Sequence, residues 1–345
     1  MPKLLALPVL MLGALATPMV GAANLLIADG PPLVSIVDGD YVHPAFSPDG
    51  SMLAYARVVA GGDGELVEVF VRRLKGGRTI RLLDAETSKR YAVYSSFVTE
   101  LRWPSPNRLA ATISDGDVDA TTVTYDVTTQ AVLEEVASSF DEEIDATTSR
   151  AQGRLKALRS LPSELPPEAL QQALESAVLL DDGSFVLQPQ YAGVDQHLWR
   201  LAPSGGLTLL KRMPSGRGPE LRGALQFGND LILVLASERE IEVLRYRDGT
   251  TTSLSSFPST GAAEMTVLDA NLQRALFYVR TGHSYERTPG ALLVYDRRGL
   301  QQVNDYPNLY DVAADGRRQR ICFAVWEGGQ RHLKVHRLAG PDATR

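Results

Sequence analysis

The sequence predicts an all-β fold, a six-bladed β-propeller, from a repeated turn, a repeated order of strands and a regular spacing. Each of six units begins with a turn built from residues such as Asp, Asn, Gly and Pro, which favour tight turns. An apolar strand, a hairpin and a more polar strand follow each turn. Units of four strands that repeat about every 45 residues are typical of propeller blades. The six turns begin at Asp49, Pro106, Asp182, Asn229, Ala270 and Asp315.

The apolar strand of each unit supports this choice over a two-sheet sandwich. Leu231–Leu235 and Ala275–Val279 lack polar alternation, so neither strand has the pattern of a half-exposed sheet. Both faces of such a strand need cover, and sheets packed radially provide it. A sandwich exposes one face of each sheet and predicts alternation instead. We therefore expect the blades to pack face to face.

The two ends of the repeat region predict how the propeller closes. The sixth unit ends after its third strand, near Arg337, and no fourth strand follows it. An extra strand, Leu33–Val37, precedes the first unit. We expect this strand to fill the missing outer edge of blade six, because closure removes an exposed sheet edge. The propeller domain then spans residues 23–340, with a loose tail at residues 341–345.

A helical hairpin insertion is predicted at residues 138–176, between blades two and three. Phe140–Leu161 is rich in Glu, Ala, Arg and Leu, with leucines at helical spacing. A second helix is indicated from Ser163 to Ala177, where two prolines suit a first helical turn. We expect these helices to lie over one mouth of the central channel or beside it.

Residues 1–22 have the pattern of a secretory signal peptide. Lys3 precedes a short apolar segment, Leu4–Ala16, and small residues follow at Gly21 to Ala23. The alternative is an uncleaved membrane anchor, which needs roughly 20 predominantly apolar residues. Pro8 and the shortness of the apolar segment favour cleavage. We expect a periplasmic or secreted protein with no stable membrane span after cleavage.

Composition narrows the classes of partner and cofactor. The net charge is −6 and basic residues form no cluster, so a nucleic-acid partner is not expected. The single cysteine, Cys322, cannot form an intramolecular disulfide, and its apolar neighbours indicate a buried thiol. We expect no cofactor. The one weak metal candidate is a calcium site at alternate aspartates, for which a solvated acidic hairpin is the other interpretation: Asp115, Asp117 and Asp119.

The segment Phe46–Tyr55, which contains Ser-Pro-Asp-Gly, resembles the WD40-like (PD40) repeat of TolB-like propellers. Val69–Gly77 continues the resemblance, and the later units share mainly the spacing. The same repeat type occurs in the propeller domains of prolyl-oligopeptidase-like peptidases. The resemblance implies a propeller scaffold. The sequence has no Gly-x-Ser-x-Gly motif, so we expect no counterpart of the serine hydrolase domain within it.

Candidate binding residues lie in the loops that share a face with the predicted insertion. Arginine and aromatic side chains are frequent anchors in protein interfaces, although such residues also occur in loops because they are exposed. The loop from Thr281 to Pro289 is the longest of these loops outside blade one. The candidates for binding a ligand or partner are Tyr191, Asp195, Arg217, His283, Tyr285 and Arg287.

These observations predict an exported, non-enzymatic propeller that binds a protein or peptide partner, as a monomer or as part of an envelope assembly. The alternative is a lactonase- or lyase-like propeller enzyme with a metal or small substrate in the central channel. That alternative needs inward acidic or imidazole groups near the starts of several first strands. A structural hydrogen bond is the simpler interpretation of the histidine among them. The residues of these types at those positions are His43, Glu100, Glu220, Glu264 and Asp311.

Overall fold

The computed structural model describes most of the chain between residues 31 and 338. The described ranges are 31–61, 64–91, 95–114, 119–139, 166–175, 177–190, 195–213, 218–259, 263–270, 274–281, 289–303, 309–315 and 319–338. The predicted signal peptide, the first predicted helix and the tail at residues 341–345 lie outside them.

Within the described residues, four sheets each contain four consecutive antiparallel strands. The first sheet consists of β2 (Asp40–Phe46), β3 (Met52–Ala60), β4 (Glu65–Arg73) and β5 (Thr79–Leu83). The second consists of β6 (Phe97–Ser105), β7 (Arg108–Ser114), β8 (Asp119–Asp126) and β9 (Val132–Ser139). The third consists of β10 (Val178–Leu179), β11 (Phe185–Leu187), β12 (Leu198–Leu201) and β13 (Leu207–Lys211). The fourth consists of β14 (Glu220–Phe227), β15 (Asp230–Ala236), β16 (Glu240–Arg247) and β17 (Thr250–Pro258).

A larger sheet contains the remaining eight strands. Its two halves, each a four-stranded unit, are joined through a single residue pair, Gly290 with Leu309. The first half consists of β18 (Glu264–Ala270), β19 (Arg274–Arg280), β20 (Gly290–Asp296) and β21 (Gly299–Gln302). The second consists of β22 (Leu309–Asp315), β23 (Arg320–Glu327), β24 (Gln330–Arg337) and β1 (Val34–Ile36).

The N-terminal strand closes the structure as the sequence predicts. Strand β1 pairs antiparallel with β24, and Val34 lies opposite Val335. The edge of the last sheet is therefore covered by a segment from the other end of the chain. This pairing holds the first and last parts of the fold together without a covalent bond.

The sheets pack face to face, and the apolar strands fill the space between them. Leu231–Leu235 and Ala275–Val279 are almost completely buried, in agreement with their lack of alternation. Separate apolar clusters lie between the first and second sheets, between the third and fourth, between the fourth and the β18–β21 unit, and between the two halves of the larger sheet. Helix α2 packs on the third sheet, and Cys322 is buried in the cluster between the last sheet and the first. The first strands contact one another: β2 meets β6 and β22, and β18 meets β14 and β22. This is a β-propeller.

Helices are a small part of the described residues. A short helix, α1 (Ala85–Ser88), and a 3-10 turn at Lys89–Tyr91 follow β5. Helix α2 (Pro167–Glu175) lies within the predicted insertion and begins at a proline, as expected. Within the described residues, no helix has the length and apolar character needed to cross a membrane.

The turn of the first repeat folds as its residues predict. The Gly50 amide donates to the Ser47 carbonyl at 2.7 Å, and the Ser51 amide donates to Asp49 Oδ1 at 3.0 Å. Gly50 has φ +62°, a conformation that favours glycine. Its carbonyl accepts a hydrogen bond from Arg320 Nη2 of the last sheet. The clearest repeat in the sequence is therefore also part of the closure.

Candidate active site

Four of the first strands contain a β-bulge near the start of the strand. A bulge places an extra residue on one strand, re-aims a side chain, and is frequent next to active sites. In β2, His43 and Pro44 together lie opposite one residue of β3. In β22, Tyr310 and Asp311 together lie opposite one residue of β23. The bulges in β6 and β14 place the extra residues Thr99 and Arg222.

The backbone of His43 is strained. His43 has φ +50°, which is uncommon for residues with a side chain. The next residue is Pro44, and proline restricts the conformation of the residue before it. Such strain costs about 1–3 kcal/mol and persists only where neighbouring groups fix the conformation. Here the His43 amide donates to Asp311 Oδ2 at 3.2 Å, which joins β2 to β22 across 268 positions of sequence.

Asp311 also forms a nearly buried ion pair. Arg280 Nη2 donates to Asp311 Oδ1 at 2.9 Å, and the two side chains are only 13% and 10% exposed. The carboxylate therefore accepts hydrogen bonds on both oxygens, one from a guanidinium and one from a backbone amide. A buried charge needs this degree of pairing to be stable. The pair fixes the carboxylate beside the β2 bulge.

The imidazole of His43 lies among four charged side chains. Burial lowers the pKa of His43, and the positive charges of Arg280 and Arg331 lower it further. The negative charges of Asp311 and Glu264 act in the opposite direction without reversing the result. The imidazole is therefore neutral at pH 7 and can accept a proton. We call His43, Asp311, Arg280 and Glu264 the His43–Asp311 site.

A second ion pair fixes the start of β2. Arg331 Nε donates to Asp40 Oδ1 at 2.6 Å, and Arg331 Nη2 donates to Asp40 Oδ2 at 2.7 Å. Both side chains are mostly buried. A bidentate arginine–carboxylate pair restricts orientation as well as distance. Strand β2 is thus held to the last sheet at Asp40 and again at His43.

The structure brings together three of the five residues named for the enzyme alternative. Asp311 bonds the His43 amide, and Glu264, exposed on β18, acts on His43 through its charge alone, whereas Glu220 bonds Arg222 and Glu100 is exposed on β6. Sequence reasoning missed Arg280, because it lies at the end of a second strand, opposite Glu264. An arginine that ends a buried apolar strand was the available signal.

Most of the predicted binding and metal residues lie outside the described residues: Tyr191, Arg217, His283, Tyr285, Arg287, Asp115 and Asp117. Asp195 is exposed, and its Oδ2 lies 3.7 Å from Nε2 of the buried His197. Asp119 begins β8, and its side chain is outside the described set. The described part of the chain contains no group of three or more His, Cys, Asp or Glu that could hold a metal ion.

Comparison with known proteins gives similarity to solved structures only. No family model and no curated protein sequence match the chain. It is similar to the β-propeller domain of the Trilobed protease from Pyrococcus furiosus, with 12% identity, a TM-score of 0.31 and coverage of 87% and 85% of the two chains. A gluconolactonase from Xanthomonas campestris is 15% identical, with a TM-score of 0.39 and 91% of both chains covered. An acylaminoacyl peptidase from Pyrococcus horikoshii is 11% identical, with a TM-score of 0.33 and 89% of this chain covered. The chain spans 46% of that peptidase.

These structures correct the prediction of a non-enzymatic propeller that binds a protein or peptide, because those named are enzymes or an enzyme domain. That prediction depended on the absence of a complete catalytic set from the sequence. There is a physical reason why the His43–Asp311 site could not be recognised in the sequence. Its histidine and carboxylate are 268 positions apart and meet only when the first and last sheets pack together.

Proposed function

We propose that this protein is an enzyme with six blades, and that its active site lies in the central channel at the His43–Asp311 site. The substrate is a small lactone, and the reaction is hydrolysis of its cyclic ester. His43 is the general base. The observation that carries the proposal is the strained, partly exposed His43 in a bulge, bonded through its backbone to a buried Asp311–Arg280 pair.

The count of six blades has specific support. The eight-stranded sheet consists of two four-stranded meanders that share one residue pair, so each half corresponds to a blade. The first strands of these two halves, β18 and β22, contact each other, as β2 and β6 and likewise β14 and β18 do. Six such strands around an axis leave a central channel.

The proposed reaction begins with proton transfer from water to the neutral imidazole of His43. The water oxygen forms a bond with the lactone carbonyl carbon, and the carbonyl oxygen gains the negative charge. The ring carbon–oxygen bond then breaks, and the leaving oxygen takes the proton from the imidazolium. The products are a hydroxy acid and the neutral histidine, so all atoms and charges balance. Positioned bases of this kind contribute typically 10²–10⁴-fold to the rate.

The surrounding charges suit this sequence of steps. The guanidinium groups of Arg280 and Arg331 lie close enough to act on His43, and positive charge in a partly buried site stabilises an oxyanion. Asp311 and Glu264 stabilise the imidazolium that forms after proton transfer. Because Asp311 is fixed by Arg280, this stabilisation is present before the substrate arrives.

The weakness of the base favours a lactone over the lyase substrates of the alternative. The pKa of His43 lies below its usual value, so the imidazole is a poor match for abstracting a proton from carbon. Attack of water on a cyclic ester makes a smaller demand on the base. The proposed steps use side chains and water, so the mechanism involves no metal.

The test is hydrolysis of γ- and δ-lactones of hydroxy acids, with and without further hydroxyl groups, followed by acid release with a pH indicator. We expect turnover that survives EDTA and falls at least a hundred-fold in His43→Gln. His332→Gln is the control, since His332 is a partly buried histidine on β24 of the last sheet whose ion-pair partner among the described residues is Glu327. Absence of turnover, loss of activity with EDTA, or full activity of His43→Gln would contradict the proposal.

We also propose that residues 1–22 are removed on export and that residues 138–176 form a helical hairpin. The charge and size pattern of the first residues supports removal, and helix α2 supports the second half of the hairpin. N-terminal sequencing of the protein recovered from its native host tests the first point. An N-terminus at Met1 would contradict it.

A further inference from the structure

A buried tyrosine holds the backbone that carries Asp311. The hydroxyl of Tyr278, on β19, lies 2.9 Å from the carbonyl oxygen of Leu309 and 2.9 Å from that of Tyr310. The hydroxyl has one hydrogen, so the two carbonyls share it. Tyr278 is only 3% exposed. The backbone at the start of the bulge that presents Asp311 is therefore held by a hydrogen bond from the neighbouring blade.

Gly290 makes this contact geometrically possible. A Cβ atom at Gly290 would lie 2.5 Å from the Tyr278 hydroxyl oxygen, closer than real side chains approach. Gly290 also pairs with Leu309, the residue just before the bulge. The Gly290–Leu309 pair is the only strand pairing described between the two halves of the eight-stranded sheet. It and the Tyr278 hydroxyl therefore hold the same backbone segment, Leu309 and Tyr310.

We propose that Tyr278 is a positioning residue, which keeps the Asp311 carboxylate against His43 by holding the carbonyls of the β22 bulge. Its catalytic consequence rests on the function proposed above. The chain of contacts is short. Tyr278 bonds the carbonyl of Tyr310, Asp311 follows in sequence, and Asp311 Oδ2 accepts from the His43 amide at 3.2 Å.

The molecule contains a matched control for this role. Tyr295, on the adjacent strand β20, is equally buried at 3% exposure, and its hydroxyl also reaches the next blade. That hydroxyl donates to Asp230 Oδ2 at 2.6 Å. Tyr295→Phe therefore removes a buried hydroxyl between blades without touching the bulge. An effect of Tyr278→Phe that Tyr295→Phe lacks cannot come from loss of a buried hydrogen bond in general.

The experiment measures the coupling between Asp311 and His43 by NMR titration of the histidine ring. The chain has five histidines, and His43→Gln identifies the His43 signal. Asp311→Asn removes a negative charge and lowers the pKa of His43 in the wild-type background. We expect the same decrease in the Tyr295→Phe background. In the Tyr278→Phe background we expect the decrease to be at most half as large, because Asp311 is no longer held.

An equal decrease in all three backgrounds would overturn the proposal. Gly290→Ala provides a second route, since it displaces the Tyr278 ring, and we expect it to reduce the coupling as Tyr278→Phe does. Undiminished coupling in a folded Gly290→Ala protein would likewise overturn it. The titration needs no substrate, so its result is independent of whether the lactonase proposal holds. If turnover is found, Tyr278→Phe is expected to lower kcat about ten-fold with KM unchanged.

Discussion

Two polar clusters of this propeller have similar composition and different roles. The Asp230 cluster joins the fourth sheet to β20, and Asp230 accepts from both Arg247 and the Tyr295 hydroxyl. The His43–Asp311 site joins the first and last sheets, and Asp311 accepts from Arg280 and a backbone amide. Each contains a buried aspartate paired with an arginine, with a tyrosine hydroxyl close by. Burial and pairing alone therefore do not identify an active site.

The two clusters differ in backbone conformation and in whether they contain a group that can still accept a proton. Among the described residues, the Asp230 carboxylate accepts only from side chains, and Asp230 pairs with Phe227 at a regular strand start. The ring of Phe227 meets that of Tyr295 edge to face. The His43–Asp311 site contains a half-buried histidine at φ +50° in a bulge, and burial lowers the pKa of its imidazole. Strain at a partly exposed, proton-accepting group indicates function, whereas a saturated cluster indicates an anchor.

Asp311→Asn should show the largest difference between the two clusters. The variant removes the charge that orients His43, and displacement of a catalytic group by about 1 Å can cost about 100-fold in rate. We expect kcat/KM for the lactone substrate to fall about 100-fold. Asp230→Asn should leave kcat/KM of the folded protein unchanged. Equal losses in the two variants would show that both clusters act only through the fold.

Gly50→Ala sharpens the comparison at the closure between the first and last sheets. A Cβ at Gly50 would overlap the Asp315 carboxylate, lying 2.8 Å from Cγ, at a φ of +62°. We expect the free energy of unfolding in urea to fall by about 2.5 kcal/mol, from left-handed backbone and overpacking together. Gly76→Ala is the control, because Gly76 also has positive φ but no neighbouring atom within 4 Å. A loss near 1 kcal/mol is expected there. Equal losses would contradict a closure role for the turn.

Asp230→Asn should then reveal the anchor. The variant weakens buried hydrogen bonds to a charged acceptor, and we expect a loss of about 2 kcal/mol in the free energy of unfolding. Chemical denaturation measures it, with Glu238→Gln as the control, since Glu238 is exposed on the hairpin of the same sheet. Equal free energies of unfolding for Asp230→Asn and Glu238→Gln would contradict a stabilising role for the Asp230 cluster.

The main elements of the β-propeller could be predicted because the local sequence marks each of them, even where, as for the closing strand, the pairing partner is distant in sequence. The Ser47–Ser51 turn, the uninterrupted apolar strand Leu231–Leu235 and the closing strand at Leu33–Val37 all form as their residues predict. Each depends on neighbours in sequence, on backbone preference or on burial of one strand. The turn Asp182–Ser184 repeats the chemistry of the first, as the Ser184 amide donates to Asp182 Oδ1 at 2.8 Å.

The site could be predicted only as a set of candidates. His43, Glu264 and Asp311 were recognisable by residue type and strand position, but their meeting depends on bulges that shift register by one residue. Bulges are hard to recognise from composition, although Pro44, directly after His43, is a residue that indicates one. Arg280 and Tyr278 carry no motif at all, and their roles come from packing between blades.

The central claim is that neutral His43 is the base, and a pH profile tests it most directly. The pKa of His43 lies below the usual 6.5, so kcat/KM should rise with pH as one proton leaves, with a midpoint below 6.5, and then level off. We predict that the midpoint of this rise equals the pKa of His43 found by NMR titration of the same protein, and that both move down together in Asp311→Asn. A midpoint that differs from the NMR value, or a rate that does not fall in acid, would contradict it.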